Sequence, residues 1–242
     1  AFSSNFALYQ EMSRRVMAVL SRFTDRMETY SVDEAFLSFS IAGLADPVAY
    51  ARDIRQAVAR EVGIPVSIGI APTKTLAKLA NRIAKKDSRY GGVFDITAHP
   101  RPEELLESIS VEHVWGVGPR YAKLLARNGV RTVRELRDMP DRWIRKHMTI
   151  TGLRMVMELR GISCIPLEEA PPPKKGIVSS RSFGHPVERL EDLKEALASY
   201  VSRAAIKLRV QKSRASVMGV FLTTNPFKNE PQYSNYRVLR LP

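Results

Sequence analysis

Tyr30-Ser31-Val32-Asp33-Glu34-Ala35-Phe36 lies within METYSVDEAFLSFS, where two β-rich runs, METYSV and AFLSFS, flank an Asp-Glu pair. That spacing predicts two strands joined as a tight hairpin. In a straight strand, adjacent side chains point to opposite faces, so Asp33 and Glu34 share a ligand only at a hairpin tip. Two neighbouring carboxylates between Tyr30 and Phe36 concentrate like charge, which a divalent cation relieves, and hard oxygen ligands suit Mg²⁺. In two-metal phosphoryl transfer, such a site lowers the pKa of an attacking hydroxyl and offsets charge on the leaving group. An isolated Asp-Glu pair is more often plain turn chemistry, so the surrounding string has to decide.

Upstream, Leu8, Met12, Val16 and Leu20 are spaced four apart and predict a helix. Downstream, Val48, Ile54, Val58 and Val62 place a helix over about 47–62, and Val66, Ile68 and Ile70 alternate as a strand. An amphipathic helix follows over about 73–86; Gly91-Gly92 ends it, and Val93-Phe94 reads as a short strand. Helix, hairpin, helix, strand and helix predict an α/β layer with one sheet face covered by helices.

At ~100° per residue, Lys74, Lys78, Arg82, Lys85 and Arg89 fall on one face of that amphipathic helix, with Leu76, Leu79, Ala80 and Ile83 opposite. Only Asp87 interrupts the cations, and no i, i+4 Glu-to-Lys ladder compensates them. The expectation is a helix that packs on one side and presents cations on the other. Further on, Val114-Trp115-Gly116-Val117-Gly118 precedes the helical stretch Tyr121 to Asn128, in the manner of a helix-hairpin-helix. Glycines let a backbone approach a phosphate, and the amides that open the next helix point toward it. A Gly-x-Gly is commonly only a turn, but beside Arg120, Lys123 and Arg127 it favours binding to a nucleic-acid backbone, which positions a duplex without reading its sequence.

The 242 residues carry 38 Lys plus Arg against 25 Asp plus Glu, a net charge of +13, which suits a densely anionic partner. The lone Cys164 excludes an internal disulfide and points to a reducing cytoplasm, with the thiol structural. His99, His113, His147 and His185 lack the pairing a zinc site needs. No apolar run approaches the ~20 residues of a membrane span, and the first residues lack a signal-peptide pattern, so no membrane partner is expected. The early entry into a helix predicts a chain cut from a longer polypeptide. Short helices broken by Gly and Pro over about 97–166 predict a small helical domain, and LEEAPPPKKG reads as a stiffened, solvated linker. From Ser179 the pattern is strand, helix (about 190–210), strand (about 216–223) and strand (about 236–241).

YSVDEAF, then SIGIAPTKTLAKLANRIAKK, then VWGVGPRYAKLLARNGVRTVREL, in this order and spacing, resembles the motif series of Y-family translesion DNA polymerases. The resemblance covers essentially the whole chain. SSNFALYQEMSRRV, VWGVG and SRSFG narrow it toward the polymerase V catalytic subunits of that family. The implied fold is α+β and multidomain: a palm layer over 1–96, a helical thumb with a helix-hairpin-helix over 97–166, a linker over 167–178, and an incomplete little finger over 179–242.

By the same resemblance, Asp33 and Glu34 are two of three carboxylates that hold catalytic Mg²⁺, with Ser31 beside them. Lys85 corresponds to the lysine that contacts the triphosphate of an incoming deoxynucleoside triphosphate. Lys74 and Lys78 are implied backbone or phosphate contacts; Gly116, Gly118, Arg120 and Lys123 the duplex contacts; Arg181 and Ser182, joined by Lys207, Arg209, Lys212 and Arg214, contacts to the template strand. The third carboxylate, the fingers and the aromatic sugar gate would precede Ala1. The parent enzyme is therefore expected to synthesise past damaged bases in the SOS response, while these residues alone bind primer-template DNA without extending it. The resemblance also implies a processed SOS mutagenesis accessory dimer, a recombinase filament and a sliding clamp as partners. The competing readings are a non-enzymatic helix-hairpin-helix DNA-binding protein and an inactive polymerase-like scaffold.

Overall fold

A computed structural model describes residues 4–39, 44–170 and 174–241. The chain is α+β and divides into two compact units, Ala1–Pro171 and Pro172–Pro242.

In the first unit, α1 (Phe6–Leu20) starts at Asn5, whose side chain accepts a hydrogen bond from the Leu8 N–H at 3.1 Å, relieving one orphan donor of the first turn. The four-residue stripe is only partly used. Leu20 and Val19 are buried and Val16 packs beside them, whereas Leu8 is 50% exposed, so α1 meets the core through its C-terminal turns. α2 (Pro47–Val62) is bracketed by strong signals: Asp46 accepts from the N–H groups of Val48 and Ala49, Pro47 opens the helix, and Gly63 closes it at φ 74°.

β1 (Met27–Thr29) and β2 (Ala35–Leu37) pair antiparallel, with Met27 opposite Leu37, Glu28 opposite Phe36 and Thr29 opposite Ala35. The Glu34 carbonyl accepts from the N–H groups of Tyr30 and Ser31 and closes the tip. The expected hairpin is therefore present; Ser40, at the end of its expected second strand, lies outside the described residues. Strand alternation sorts its side chains. Met27, Ala35 and Leu37 pack on a core made by Val19, Ile54 and Val58, while Glu28, Tyr30, Glu34 and Phe36 belong to the other face.

β3 (Ile68–Ile70) and β4 (Val93–Asp95) are parallel and are joined through α3 (Lys74–Lys86), a crossover that parallel strands require. At Gly69 a Cβ would sit 2.1 Å from the Asn81 backbone nitrogen, so only glycine lets α3 come this close to the strand. The α3 apolar stripe faces the helices that follow: α4 (Pro102–Ser108), α5 (Pro119–Arg127), α6 (Val133–Asp138) and α7 (Asp141–Leu159). Leu76, Leu79 and Ala80 of α3 share one core with Leu125, Leu136 and Val156, which crosses residue 96 without a break. α7 is interrupted at Thr149, a β-branched residue held at φ 65°.

The second unit contains α8 (Leu190–Val210) and an antiparallel pair, β5 (Val217–Thr223) and β6 (Ser234–Arg240). The strand expected from Ser179 is not formed. Among the described residues no segment other than β6 supplies a ladder to β5, and an extended segment without a hydrogen-bonding partner is not a strand. Prolines 171–173 of the expected linker lie outside the described residues.

Candidate metal centre and phosphate-binding surface

Asp33 stands exposed at the hairpin tip, and its Oδ1 accepts the Ser31 hydroxyl at 2.7 Å. Glu34, the next residue, is partly buried, and its Oε1 accepts from the Lys78 ammonium. The tip thus joins Ser31 to Asp33 and places Glu34 next in the chain.

The basic face of α3 does not present cations in the way its periodicity predicts. Lys74 is buried, 9% exposed, and its ammonium is paired with Glu28 while donating to the Pro166 carbonyl at 2.7 Å. It is an interior ion pair and not a phosphate-facing group. Lys78, one turn later, pairs with Glu34. The compensating acids come from the hairpin face opposite, where a local search for i, i+4 partners does not look. Two aromatic rings complete this interface, with Lys74 Nζ 5.0 Å from the Phe36 centroid and Lys78 Nζ 5.5 Å from that of Tyr30. Arg89, expected on the same face, lies beyond the end of α3 in a 3-10 turn over Ser88–Tyr90, where it forms a fork with Asp87, whose carboxyl is held below its usual range by that guanidinium. Arg82 is half-buried, and Lys85 is exposed in the last turn of α3.

Gly116 takes φ 95°, which glycine alone adopts freely, whereas Gly118 has an ordinary φ of −82° and open space where a Cβ would be. The first glycine is required by the turn, and the second leaves the backbone accessible. Pro119 opens α5 at its first position, where a missing N–H costs nothing. Arg120, Lys123 and Arg127 are exposed along α5 and make no ion pair among the described residues.

Trp115, in the same turn, stands edge-on to Tyr30 with centroids 5.4 Å apart, and its Nε1 donates to the Tyr30 hydroxyl at 3.2 Å. The hairpin and the glycine turn are therefore joined by an aromatic contact. Glu28, Tyr30, Lys74, Trp115, Arg154 and Cys164 line a cleft of about 520 Å³ beside it.

Sequence reasoning missed two carboxylates that build this region. Glu28 joins β1 to α3 and also accepts from the Glu168 N–H at 2.7 Å; strand alternation, which puts it on the face of Tyr30, was the available signal. Glu158 of α7 is fully buried and accepts from the backbone N–H groups of Thr75, Cys164 and Ile165 at 2.9 to 3.0 Å. Nothing in its local sequence marks it. In the second unit, Arg181 and Ser182 are exposed and irregular, and Lys207, Arg209, Lys212 and Arg214 are exposed at the end of α8 and just beyond it.

Mg²⁺ usually keeps several waters and is held through one or two carboxylates together with substrate phosphates. The hairpin tip fits that requirement, since it offers two adjacent hard carboxylates, one exposed and one already satisfied by a cation. Among the described residues no group of three or more His, Cys, Asp or Glu side chains is placed to hold a metal. No helix among them is long and apolar enough to cross a membrane.

Residues 1–82 match the impB/mucB/samB family, and residues 174–242 match the C-terminal domain of that family. Protein UmuC of Salmonella typhimurium is 44% identical over 243 residues, covering 99% of this chain and 58% of the relative. Protein MucB of Escherichia coli is 41% identical over 242 residues, again covering 99% of this chain and 58% of the relative. The chain therefore spans little more than half the length of these relatives. A solved structure of a Y-family DNA polymerase chimera of Dbh and Dpo4 superposes with a TM-score of 0.69 at 20% identity, covering 96% of this chain and 65% of that one, which is a likeness of fold. With both family matches in order and relatives above 40% identity along its whole length, the chain belongs to the impB/mucB/samB family and has the fold of Y-family DNA polymerases.

Proposed function

We propose that this chain carries part of the active site and the duplex-binding surface of an error-prone translesion DNA polymerase, which adds deoxynucleotides opposite damaged template bases. The observation that carries the reading is the hairpin tip, where exposed Asp33 and adjacent Glu34 stand on two short strands braced against α3. Residues 1–96 act as palm, 97–166 as thumb and 179–242 as little finger, joined by the linker at 167–178.

Asp33 and Glu34 hold catalytic Mg²⁺ in this reading. When bound, two such ions supply Lewis acids that activate a primer hydroxyl and offset charge on the leaving pyrophosphate. Ser31 orients Asp33 through its hydroxyl. Lys85, exposed at the end of α3, contacts the triphosphate of the incoming nucleotide as a flexible point charge. Arg120 and Lys123, with the open backbone at Gly118, contact duplex phosphates, and Arg181 and Ser182 contact the template strand. Cytoplasmic location, an accessory dimer, a recombinase filament and a sliding clamp belong to the same proposal.

The test is primer extension by a polypeptide that contains this sequence together with the remaining family elements. Asp33→Ala and Glu34→Ala should abolish extension while primer-template binding stays within about threefold, since these groups serve the cations and not the duplex. Extension within a few-fold of the unsubstituted protein would overturn the assignment. Exposed Arg120, Lys123 and Arg127 also suit a DNA-binding protein without catalysis. That second reading is favoured if no extension occurs with any divalent metal while binding is strong.

A further inference from the structure

α3 meets the hairpin through two ion pairs one helical turn apart, and their surroundings differ. The Lys74–Glu28 rung is buried and its partners are fully satisfied, although both residues border the cleft. Both side chains are under 10% exposed, Lys74 also donates to the Pro166 carbonyl, and Glu28 also accepts from the Glu168 N–H. The Lys78–Glu34 rung is open. Its side chains are 23% and 42% exposed, and Lys78 has no second hydrogen-bond partner among the described residues, only the Tyr30 ring beneath it. The first pair is a fixed strut, and the second can dissociate without leaving a buried charge unpaired.

We propose that Lys78 is the resident counter-ion of the Asp33–Glu34 site. Its ammonium holds Glu34 in place while the site is free of metal and gives that carboxylate up when a divalent cation binds. The inference rests on the reading of Asp33 and Glu34 as metal ligands. Two adjacent carboxylates repel, and a nearby ammonium offsets that repulsion without a metal. The same ammonium competes for the Glu34 oxygen and repels an incoming cation. Lysine suits this exchange because its charge sits on a flexible four-carbon stem with little geometric demand.

The consequence is counter-intuitive for a positioning residue, because removing Lys78 should tighten metal binding. Titration with Mn²⁺ in the absence of nucleotide and DNA, read by the electron paramagnetic resonance signal of free Mn²⁺, tests it. Lys78→Met should bind Mn²⁺ about fivefold more tightly than the unsubstituted protein, from lost competition and lost repulsion at a partly exposed site. Lys78→Arg, which keeps the charge, should stay near the unsubstituted affinity. Unchanged or weaker binding by Lys78→Met would overturn the proposal, and weakening would mean that Lys78 merely organises Glu34. Asp33→Asn and Glu34→Gln should weaken Mn²⁺ binding. If they do not, the assignment of the metal ligands fails, a result distinct from a failure of the Lys78 exchange alone.

Discussion

The fully buried carboxylate of Glu158 accepts a hydrogen bond from the backbone N–H of Thr75, in the first turn of α3, at 2.9 Å. Its other oxygen takes the N–H groups of Cys164 and Ile165. One α7 side chain thus satisfies an orphan donor of α3, sits favourably at that helix's positive end, and ties down the segment leading to residue 166.

Glu158→Ala should accordingly destabilise the first unit by about 3 kcal/mol, because the buried Thr75 N–H and the part-buried N–H groups of Cys164 and Ile165 lose their acceptor. Glu158→Gln, which keeps one carbonyl oxygen, should cost less. Urea unfolding followed by circular dichroism separates the two, and equal, negligible losses would remove the capping role.

For the buried Lys74–Glu28 pair, Lys74→Met alone should cost about 3 kcal/mol, since it strands a buried carboxylate. The double substitution Lys74→Met, Glu28→Gln should recover much of that loss, because no uncompensated charge remains. A double-mutant cycle from unfolding curves checks this, and additive losses would show that the two residues act independently.

Binding to primer-template DNA should weaken steeply with salt if the exposed cations of α5 meet phosphates. Arg120→Ala with Lys123→Ala should flatten the log-log salt slope by about 2 units, one per lost phosphate contact, and weaken binding similarly for unrelated sequences. An unchanged slope would assign these residues to ordinary surface charge.

His113, beside Arg82 and Lys86, has its pKa lowered, first by burial and then by the Arg82 charge, with Glu112 opposing. Its folded pKa lies below the unfolded value, so the unfolded chain binds more protons through that window. Stability should be complete above about pH 6.5, the ordinary histidine value, and fall as pH drops toward the depressed folded value. Thermal melts across pH 5 to 8 should show this, and His113→Gln should flatten the dependence.

The legible parts of this protein were those encoded by neighbours in sequence. The hairpin around Asp33 and Glu34 followed from two β-rich runs flanking an Asp-Glu pair, α3 from its amphipathic period, and the glycine turn from the Gly116-Val117-Gly118 run, where Gly116 adopts φ 95°. Each signal acts over a few residues, where propensity and capping operate. The state of the charges was decided elsewhere. Lys74 and Lys78 look like a free cationic face until the fold brings Glu28 and Glu34 to them from 46 and 44 residues away. Glu158 reaches Thr75 across 83 residues. The expected strand from Ser179 failed for the same reason, since a strand exists only when another segment pairs with it. Local pattern set most of the helices and the hairpin, and tertiary structure decided which strands pair, which cations are buried and which charges are neutralised, because a Coulomb partner is chosen by distance in space and not in sequence.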